Sequence, residues 1–304
     1  MDRQNIPAFE RYRTIIPDFE AFLNALNQSL PTFIRANTLK ITVESFQNLM
    51  SERGYPIQPV TGIKEAFHLR GVDSPGSTLE YFLGYYHVQG LTSMLPPIVL
   101  NPEQEEMILD LCAAPGGKAT YLAQLIQNRG AVVANDFRTN RLRILRSHID
   151  RLGATSIFVS SYQGQAFPKR ILFDKILLDP PCSAEGTYRS GFQRPLSETP
   201  YVVRRLSQLQ RNLLRRALDL LCNDGTLVYS TCTYAPEENE AVIDEVIKTG
   251  QAEILPISIP FPHSQGLTSW EGKRFHPDLM KAVRIYPHQV NSWGFFIAHL
   301  RKQR

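Results

Sequence analysis

A chain of 304 residues with 43% apolar content can bury one large core and a smaller appended one, which excludes wholesale disorder. No run approaches the roughly 18 to 20 apolar residues of a membrane helix, and Met1-Asp2-Arg3-Gln4 lacks the layout of a signal peptide, so a cytoplasmic protein is expected. The net charge of +4 is modest, and four cysteines without a Cys-x-x-Cys pair plus seven scattered histidines offer no zinc site, so neither metal nor structural disulfide is expected.

Apolar residues at helical spacing (Phe19, Phe22, Leu23, Leu26) predict a helix from about Phe9 to Ser29, stopped at Leu30-Pro31. Thr32 to Leu39 then reads as a strand and Val43 to Glu52 as an amphipathic helix that Gly54-Tyr55-Pro56 ends, with short strands before Gly84. From Met107 the pattern becomes apolar runs alternating with helical segments: Met107 to Leu111, Ala131 to Ala134, Ile157 to Val159, Lys175 to Leu178, Thr226 to Tyr229 and Phe295 to Leu300. Strands alternating with helices predict an α/β fold with a doubly wound, mostly parallel sheet. The last two runs, one of them after an irregular stretch holding Pro256, Pro260, Pro262, Pro277 and Pro287, are expected to supply an antiparallel edge strand. The chain thus divides into a helical segment (1–30), a small α+β domain (31–85) and a catalytic domain (86–304).

The first strand of the large domain runs into Asp110-Leu111-Cys112-Ala113-Ala114-Pro115-Gly116-Gly117-Lys118, followed by a helix from about Ala119 to Gln127. Small residues at a strand's carboxyl end let a ligand approach the backbone, so this is a cofactor loop, although neither a dinucleotide fingerprint nor a Walker loop. The second strand ends at Asp136, placed either to accept from both hydroxyls of a ribose or to cap a helix.

Two later strands end in Asp179-Pro180-Pro181-Cys182-Ser183 and Ser230-Thr231-Cys232-Thr233, which brings two thiols to one edge of the sheet. A thiolate suits pyrimidine chemistry, because adding to C6 of cytosine turns C5 into an enamine-like carbon able to attack a methyl donor. Negative charge then grows on the N3/O2 side, and Asp179 is the expected acid or hydrogen-bond donor there, its alternative role being to stabilise the turn. Spacing leaves open which cysteine attacks. Arg189, Arg194, Arg204, Arg205, Arg211, Arg215 and Arg216 fall in one segment poor in acids, either a phosphate-facing surface or a solvated helix face. Tyr188 and Phe192 beside it are candidates to stack on bases, or else packing residues.

These motifs, with Tyr86-His87-Val88-Gln89-Gly90 and Pro236-Glu237-Glu238-Asn239-Glu240, resemble those of the Sun/nucleolar-protein family of RNA 5-methylcytosine methyltransferases. Phe275-His276-Pro277, Tyr286-Pro287-His288 and Gly294-Phe295-Phe296 resemble the tail of its archaeal and nucleolar branch. The resemblance implies a Rossmann-like class I fold that uses S-adenosylmethionine, an RNA-recognition-like small domain, and a transfer or ribosomal RNA substrate. It implies Cys232 as nucleophile and Cys182 as an aid to product release. Cys112, Ala113, Ala114, Pro115, Gly116, Gly117, Lys118, Asp136, Arg141, Asp179 and Pro181 would surround the cofactor, with Lys118 also near the reacting base. The chain departs from the family where Gln163 replaces the usual aspartate and Ala184 the usual glycine; Gln163 keeps a carbonyl for the adenine amino group. A monomer is expected. Competing readings are a methyltransferase for exocyclic base amines, which Asp-Pro-Pro also suits, and a non-catalytic RNA-binding factor.

Overall fold

The computed structural model describes residues 6–189 and 200–303, and it begins with two short helices where the sequence suggests one. α1 (Ile6–Phe9) leads through a tight turn to α2 (Phe19–Leu26). Pro17 brings no amide hydrogen, and Asp18 lies at φ 46°, so the helix restarts there with the Asp18 carboxylate accepting from the Ala21 amide. The apolar face of these helices does not serve the small domain. Phe9, Tyr12, Phe19 and Phe22 join the main core, where the Phe22 ring meets Tyr234 edge-on at 5.4 Å.

The small domain is a four-stranded antiparallel sheet built from β1 (Thr32–Ala36), β2 (Ile57–Pro59), β3 (Ala66–Leu69) and β4 (Tyr86–Val88), in the order β2-β3-β1-β4. α3 (Val43–Glu52) has the expected limits, because the Thr42 hydroxyl caps the Ser45 amide and Val43, Phe46 and Met50 fall on one buried face against Ile34, Phe67 and Tyr86. α4 (Leu79–Phe82) follows. β1 stops at Ala36 and not at Leu39, since Asn37 turns the chain; its side-chain Nδ2 donates to the Gly84 and Leu152 carbonyls at 2.8 Å each. The sheet also runs past the expected limit at residue 85. β1 has a free edge, and Tyr86–Val88 fills it, pairing Ile34 with Val88 and Ala36 with Tyr86.

After α5 (Leu95–Leu100) the large sheet opens with β5 (Met107–Asp110), α6 (Gly117–Leu125), β6 (Ala131–Asn135), α7 (Thr139–Leu152) and β7 (Ile157–Ser160). β8 (Phe173–Leu178), α8 (Pro200–Leu220), β9 (Leu221–Thr231) and α9 (Glu240–Lys248) continue it. β10 (Ala252–Leu255), β11 (Ser264–Gln265), the hairpin of β12 (Ser269–Trp270) and β13 (Lys273–Arg274), β14 (Val283–Ile285) and β15 (Phe295–Lys302) complete the chain. The order is β11-β14-β15-β9-β8-β5-β6-β7, with β10 also on β15. Two expectations about the late strands need correction. The run Thr226 to Tyr229 belongs to β9, which is parallel to β8 because α8 crosses back over the sheet between them. β15 is antiparallel, but it is no edge: β14 and β10 occupy the side of it that β9 leaves open. Among the described residues no helix is long and apolar enough to cross a membrane.

The antiparallel half is pinned by a buried ion pair. Arg284 of β14 donates to Glu240 at the start of α9 (Nε to Oε1, 2.6 Å) and to the Tyr234 carbonyl at 3.0 Å, both side chains being shielded from water. Removing one partner leaves a charge stranded in the core, so Arg284→Met is expected to lower stability by roughly 3–5 kcal/mol in urea unfolding. A loss under about 1 kcal/mol would show that Glu240 finds water or another donor.

Candidate active site

The carboxyl ends of β5, β6, β8 and β9 lie side by side, so the residues that follow them share one rim, where open α/β sheets hold ligands. Two cavities lie there. A cleft of about 290 Å³ is walled by Asp110, the loop Cys112–Pro115, Gly117, Lys118, Asp179 and Cys232, with His87, Gln89, Ser93, Trp293 and Phe295 completing its lining. A narrower slot of about 40 Å³ is lined by Asp136, Arg141, Phe137, Tyr162, Pro181 and Leu213, and Cys112 forms the wall between the two. Gly116 alone of the cofactor loop turns away. Its φ of 110° suits glycine, and a side chain there would strike Leu145 of α7 at 2.6 Å, so its smallness serves packing.

Three aspartates stand on the rim in different states of compensation. Asp136 accepts from Arg141 at 3.0 Å and from the Arg138 amide at 2.9 Å, so it faces the slot and bends the chain ahead of α7, whose N-cap is Arg138 and not Asp136. Asp179 accepts from Lys118 Nζ at 2.6 Å and from the Ser230 hydroxyl at 2.9 Å. Both its oxygens accept in the ligand-free chain, and Lys118 beside it is a donor. Burial opposes the charge on Lys118, but Asp179 outweighs it and the ammonium is held above its ordinary range. Asp110, 1% exposed, has no partner for either carboxyl oxygen. Burial pushes its pKa up to about 7, with Lys118 pulling the other way.

The two thiols expected at one edge do meet. Cys182 and Cys232 lie with their sulfurs 3.5 Å apart, and Cys232 is the one that lines the cleft. Its contact with Cys232 and then burial push the Cys182 thiol well above the usual range. Burial and the neighbouring Asp110 do the same to Cys112, which is a wall and not a nucleophile. Behind the pair, Glu238 accepts from the Ser183 amide at 3.1 Å and from Gln210 at 2.7 Å, and Gln210 also donates to the Pro181 carbonyl. Burial raises the Glu238 carboxyl to about 7. Glu185 accepts from Tyr12 at 2.8 Å and from Thr233 at 3.2 Å, which ties the N-terminal segment to the turn that carries Cys232.

Known proteins give this arrangement its context. Residues 97–301 match the family described as "16S rRNA methyltransferase RsmB/F", and residues 7–90 match the "N-terminal domain of 16S rRNA methyltransferase RsmF". The chain belongs to the RsmB/F methyltransferase family. It is 36% identical over 298 residues to the tRNA (cytosine(49)-C(5))-methyltransferase of Pyrococcus abyssi, covering 97% of this chain and 95% of that one. It is 38% identical over 289 residues to the mouse 28S rRNA (cytosine-C(5))-methyltransferase, covering 92% of this chain but only 36% of the mouse protein's length. A crystal structure of a methyltransferase homologue from Pyrococcus horikoshii superposes with a TM-score of 0.86 at 35% identity, covering 96% of this chain and 93% of that one.

The two departures from the family's motifs have different outcomes. Ala184 adopts φ 59°, the left-handed conformation a glycine would take, so the loop keeps its course at a strain of roughly 1–2 kcal/mol. Gln163 is exposed, accepts from Gln165 at 3.2 Å and does not line the slot; Gln165 and Gly164 line it instead. The arginine-rich surface also shrinks. Arg189 is 0% exposed and clamps the carbonyls of Gln28, Ser29 and Ser292, Arg211 and Arg215 pair with Glu245, and Arg216 donates to the Phe167 carbonyl. Arg204 and Arg205 stay exposed, while Arg194 and Phe192 lie outside the described residues. Tyr188 is buried against Phe9, ring centres 5.5 Å apart, and so packs instead of presenting a face for a base. His87, Gln89, Ser93, Trp293 and Phe295 had no assigned role from sequence; the first two sit in the Tyr86–Gly90 motif, which was their only visible mark.

The unpartnered Asp110 gives a pH signature. Between about pH 4 and 7 the folded chain keeps a proton that the unfolded chain has lost, so stability falls as pH rises through that window, on the order of 1 kcal/mol per pH unit. Asp110→Asn is expected to flatten that decline and to exceed the wild type most above pH 7, in urea unfolding from pH 5 to 8. Parallel curves for the two proteins would mean that Asp110 is solvated or paired.

Proposed function

We propose that the chain transfers the methyl group of S-adenosylmethionine to carbon 5 of a cytosine in transfer or ribosomal RNA, as a monomer in the cytoplasm. The observation that carries this reading is the Cys232 thiol on the cleft wall beside the Lys118–Asp179 pair, with a second thiol 3.5 Å behind it. The named reactions of the relatives, both at cytosine C5 of an RNA, support the substrate class.

The rim has the donors and acceptors that such a cofactor requires. Asp110, with two idle buried oxygens, suits an ammonium group, Asp136 suits the hydroxyls of a ribose, and the apolar sides of Phe137, Tyr162, Leu213 and Pro181 suit a purine. When bound, the cofactor supplies an electrophilic methyl group on a positively charged sulfur.

The chain's own groups do the rest. Cys232 forms a bond from sulfur to C6 of the base, which makes C5 nucleophilic. Charge that develops on the N3/O2 side meets the Lys118 ammonium, held in place by Asp179, and Asp179 is in turn fixed by Ser230. After methyl transfer a water takes the C5 proton, and the C–H electrons re-form the C5–C6 double bond as the C6–sulfur bond breaks and its electron pair returns to the Cys232 sulfur. Cys182, protonated through its contact with Cys232 and its burial, can then donate its S–H to the departing thiolate. Because Cys232 lies in the wall of a cleft and not on an open face, the base has to leave its stack to reach it, so a loop, bulge or remodelled region is the expected target. The small domain beside the cleft, with residues 31–85 as its main part, is the unit we assign to RNA docking.

Cys232→Ser is expected to reduce incorporation of labelled methyl into RNA roughly a thousandfold or more. Cys182→Ala should instead accumulate a denaturant-resistant protein–RNA adduct, visible as a shifted band on a denaturing gel. Turnover that survives in the Cys232 variant would redirect the reading toward methylation of an exocyclic amine, and a Cys182 variant without adduct would remove the release role.

A further inference from the structure

The turns that carry the two thiols are tied together by side chains that lie outside the cleft. Glu238, shielded from water, accepts through one oxygen, Oε2, from the Ser183 amide at 3.1 Å and from Gln210 Nε2 at 2.7 Å. Gln210, equally buried, also donates to the Pro181 carbonyl at 2.9 Å. The residues on either side of Cys182 are thus fastened to one carboxylate and one amide, which leaves the backbone under that thiol little room to shift.

A second tie joins this turn to that of Cys232. The Ser183 and Thr233 hydroxyls lie 2.5 Å apart. Thr233 has a single hydroxyl proton, which it donates to Glu185 at 3.2 Å, so Ser183 is the donor between the two. The Cys232 carbonyl in turn accepts from the Gly186 amide at 2.8 Å. Ser183 stands at the junction: Glu238 holds its amide from behind, and its hydroxyl reaches the residue next to Cys232. Neither Ser183 nor Glu238 lines the cleft or the slot.

The consequence falls on one step. Attack on C6 uses Cys232, just past β9, and the Lys118–Asp179 pair that Ser230 fixes. Return of a proton from Cys182 needs both sulfurs within reach, and their 3.5 Å separation meets that need only while the two turns keep their spacing, because hydrogen bonds weaken steeply with misalignment. We propose that Ser183 and Glu238 are positioning residues for release of the methylated base, holding the Cys182 thiol against Cys232. This rests on the function proposed above.

The test uses the full chain, labelled S-adenosylmethionine and total RNA. Enzyme in excess over RNA gives the rate of the first methyl transfer, whereas steady-state turnover and a denaturing gel follow release. Ser183→Ala should keep the first transfer within about threefold of the wild type, lose about tenfold or more in turnover, and accumulate the denaturant-resistant protein–RNA adduct. Glu238→Ala should show the same pattern more strongly; if it does not fold, Ser183→Ala decides the question alone. Ser183→Thr keeps the hydroxyl, and Glu238→Gln keeps an oxygen for both bonds while replacing one that has no hydrogen-bond partner, so both should stay within about threefold of the wild type in either rate. A first transfer that falls in step with turnover, turnover that does not change, or a Ser183→Thr variant as slow as Ser183→Ala would overturn the assignment. Cys182→Ala run in parallel separates the two levels: an adduct there and none in the Ser183 and Glu238 variants removes the positioning role alone, whereas no adduct in any variant removes the release role of Cys182 with it.

Discussion

The parallel register of β8 on β9 is the constraint from which the chemistry follows. Leu177 pairs with Val228 and Leu178 with Tyr229, so the residues just beyond, Asp179 and Ser230, meet and bond at 2.9 Å. Carrying the two chains slightly further brings Cys182 and Cys232 together. A slip of one residue would turn one of the thiols to the opposite face of the sheet. The polar residues around Glu238 hold the loops that leave those strands, and α8 contributes to the same network through Gln210, so the crossover that makes β9 parallel also steadies what it delivers.

Electrostatics then distinguish the acids that the strands bring to the rim. Two of the three aspartates have a cation in direct contact, whereas the buried third has none at that distance and feels Lys118 only through space. An uncompensated buried carboxyl destabilises the ligand-free fold, and such unmet demands concentrate where a ligand is meant to satisfy them. The pairing of Asp179 with Lys118 has a second effect. It fixes a carboxylate and a lysine, the second residue of α6, side by side on the cleft wall.

Elements governed by local chemistry were legible in the sequence. The limits of α3 follow from the Thr42 cap and a three-to-four-residue apolar rhythm, and the parallel strands from short apolar runs between helices. The break before α2 was written in Pro17, yet the apolar rhythm runs across it and masks it. β10 and β14 are too short to show alternation. The arginine-rich segment misled because its partners are distant: Glu245 neutralises two of its members from another helix, and Arg189 is consumed by backbone carbonyls from both ends of the chain. The thiol pair could be anticipated from two motifs, but the roles of its members came from family resemblance. The raised carboxyl of Asp110 depends on burial, which a linear reading does not contain.

β4 is at once the fourth strand of the small sheet and a wall of the cleft. Arg35, on the neighbouring strand, reaches across to the Gly117 carbonyl at 2.9 Å and to Thr120, and Asn37 fastens the same strand to the end of α7. The two domains therefore cannot swing as hinged jaws without breaking buried bonds. The width of the entrance is set when the chain folds, so for the reaction we propose the adaptation would fall on the polymer, chosen for how readily it deforms.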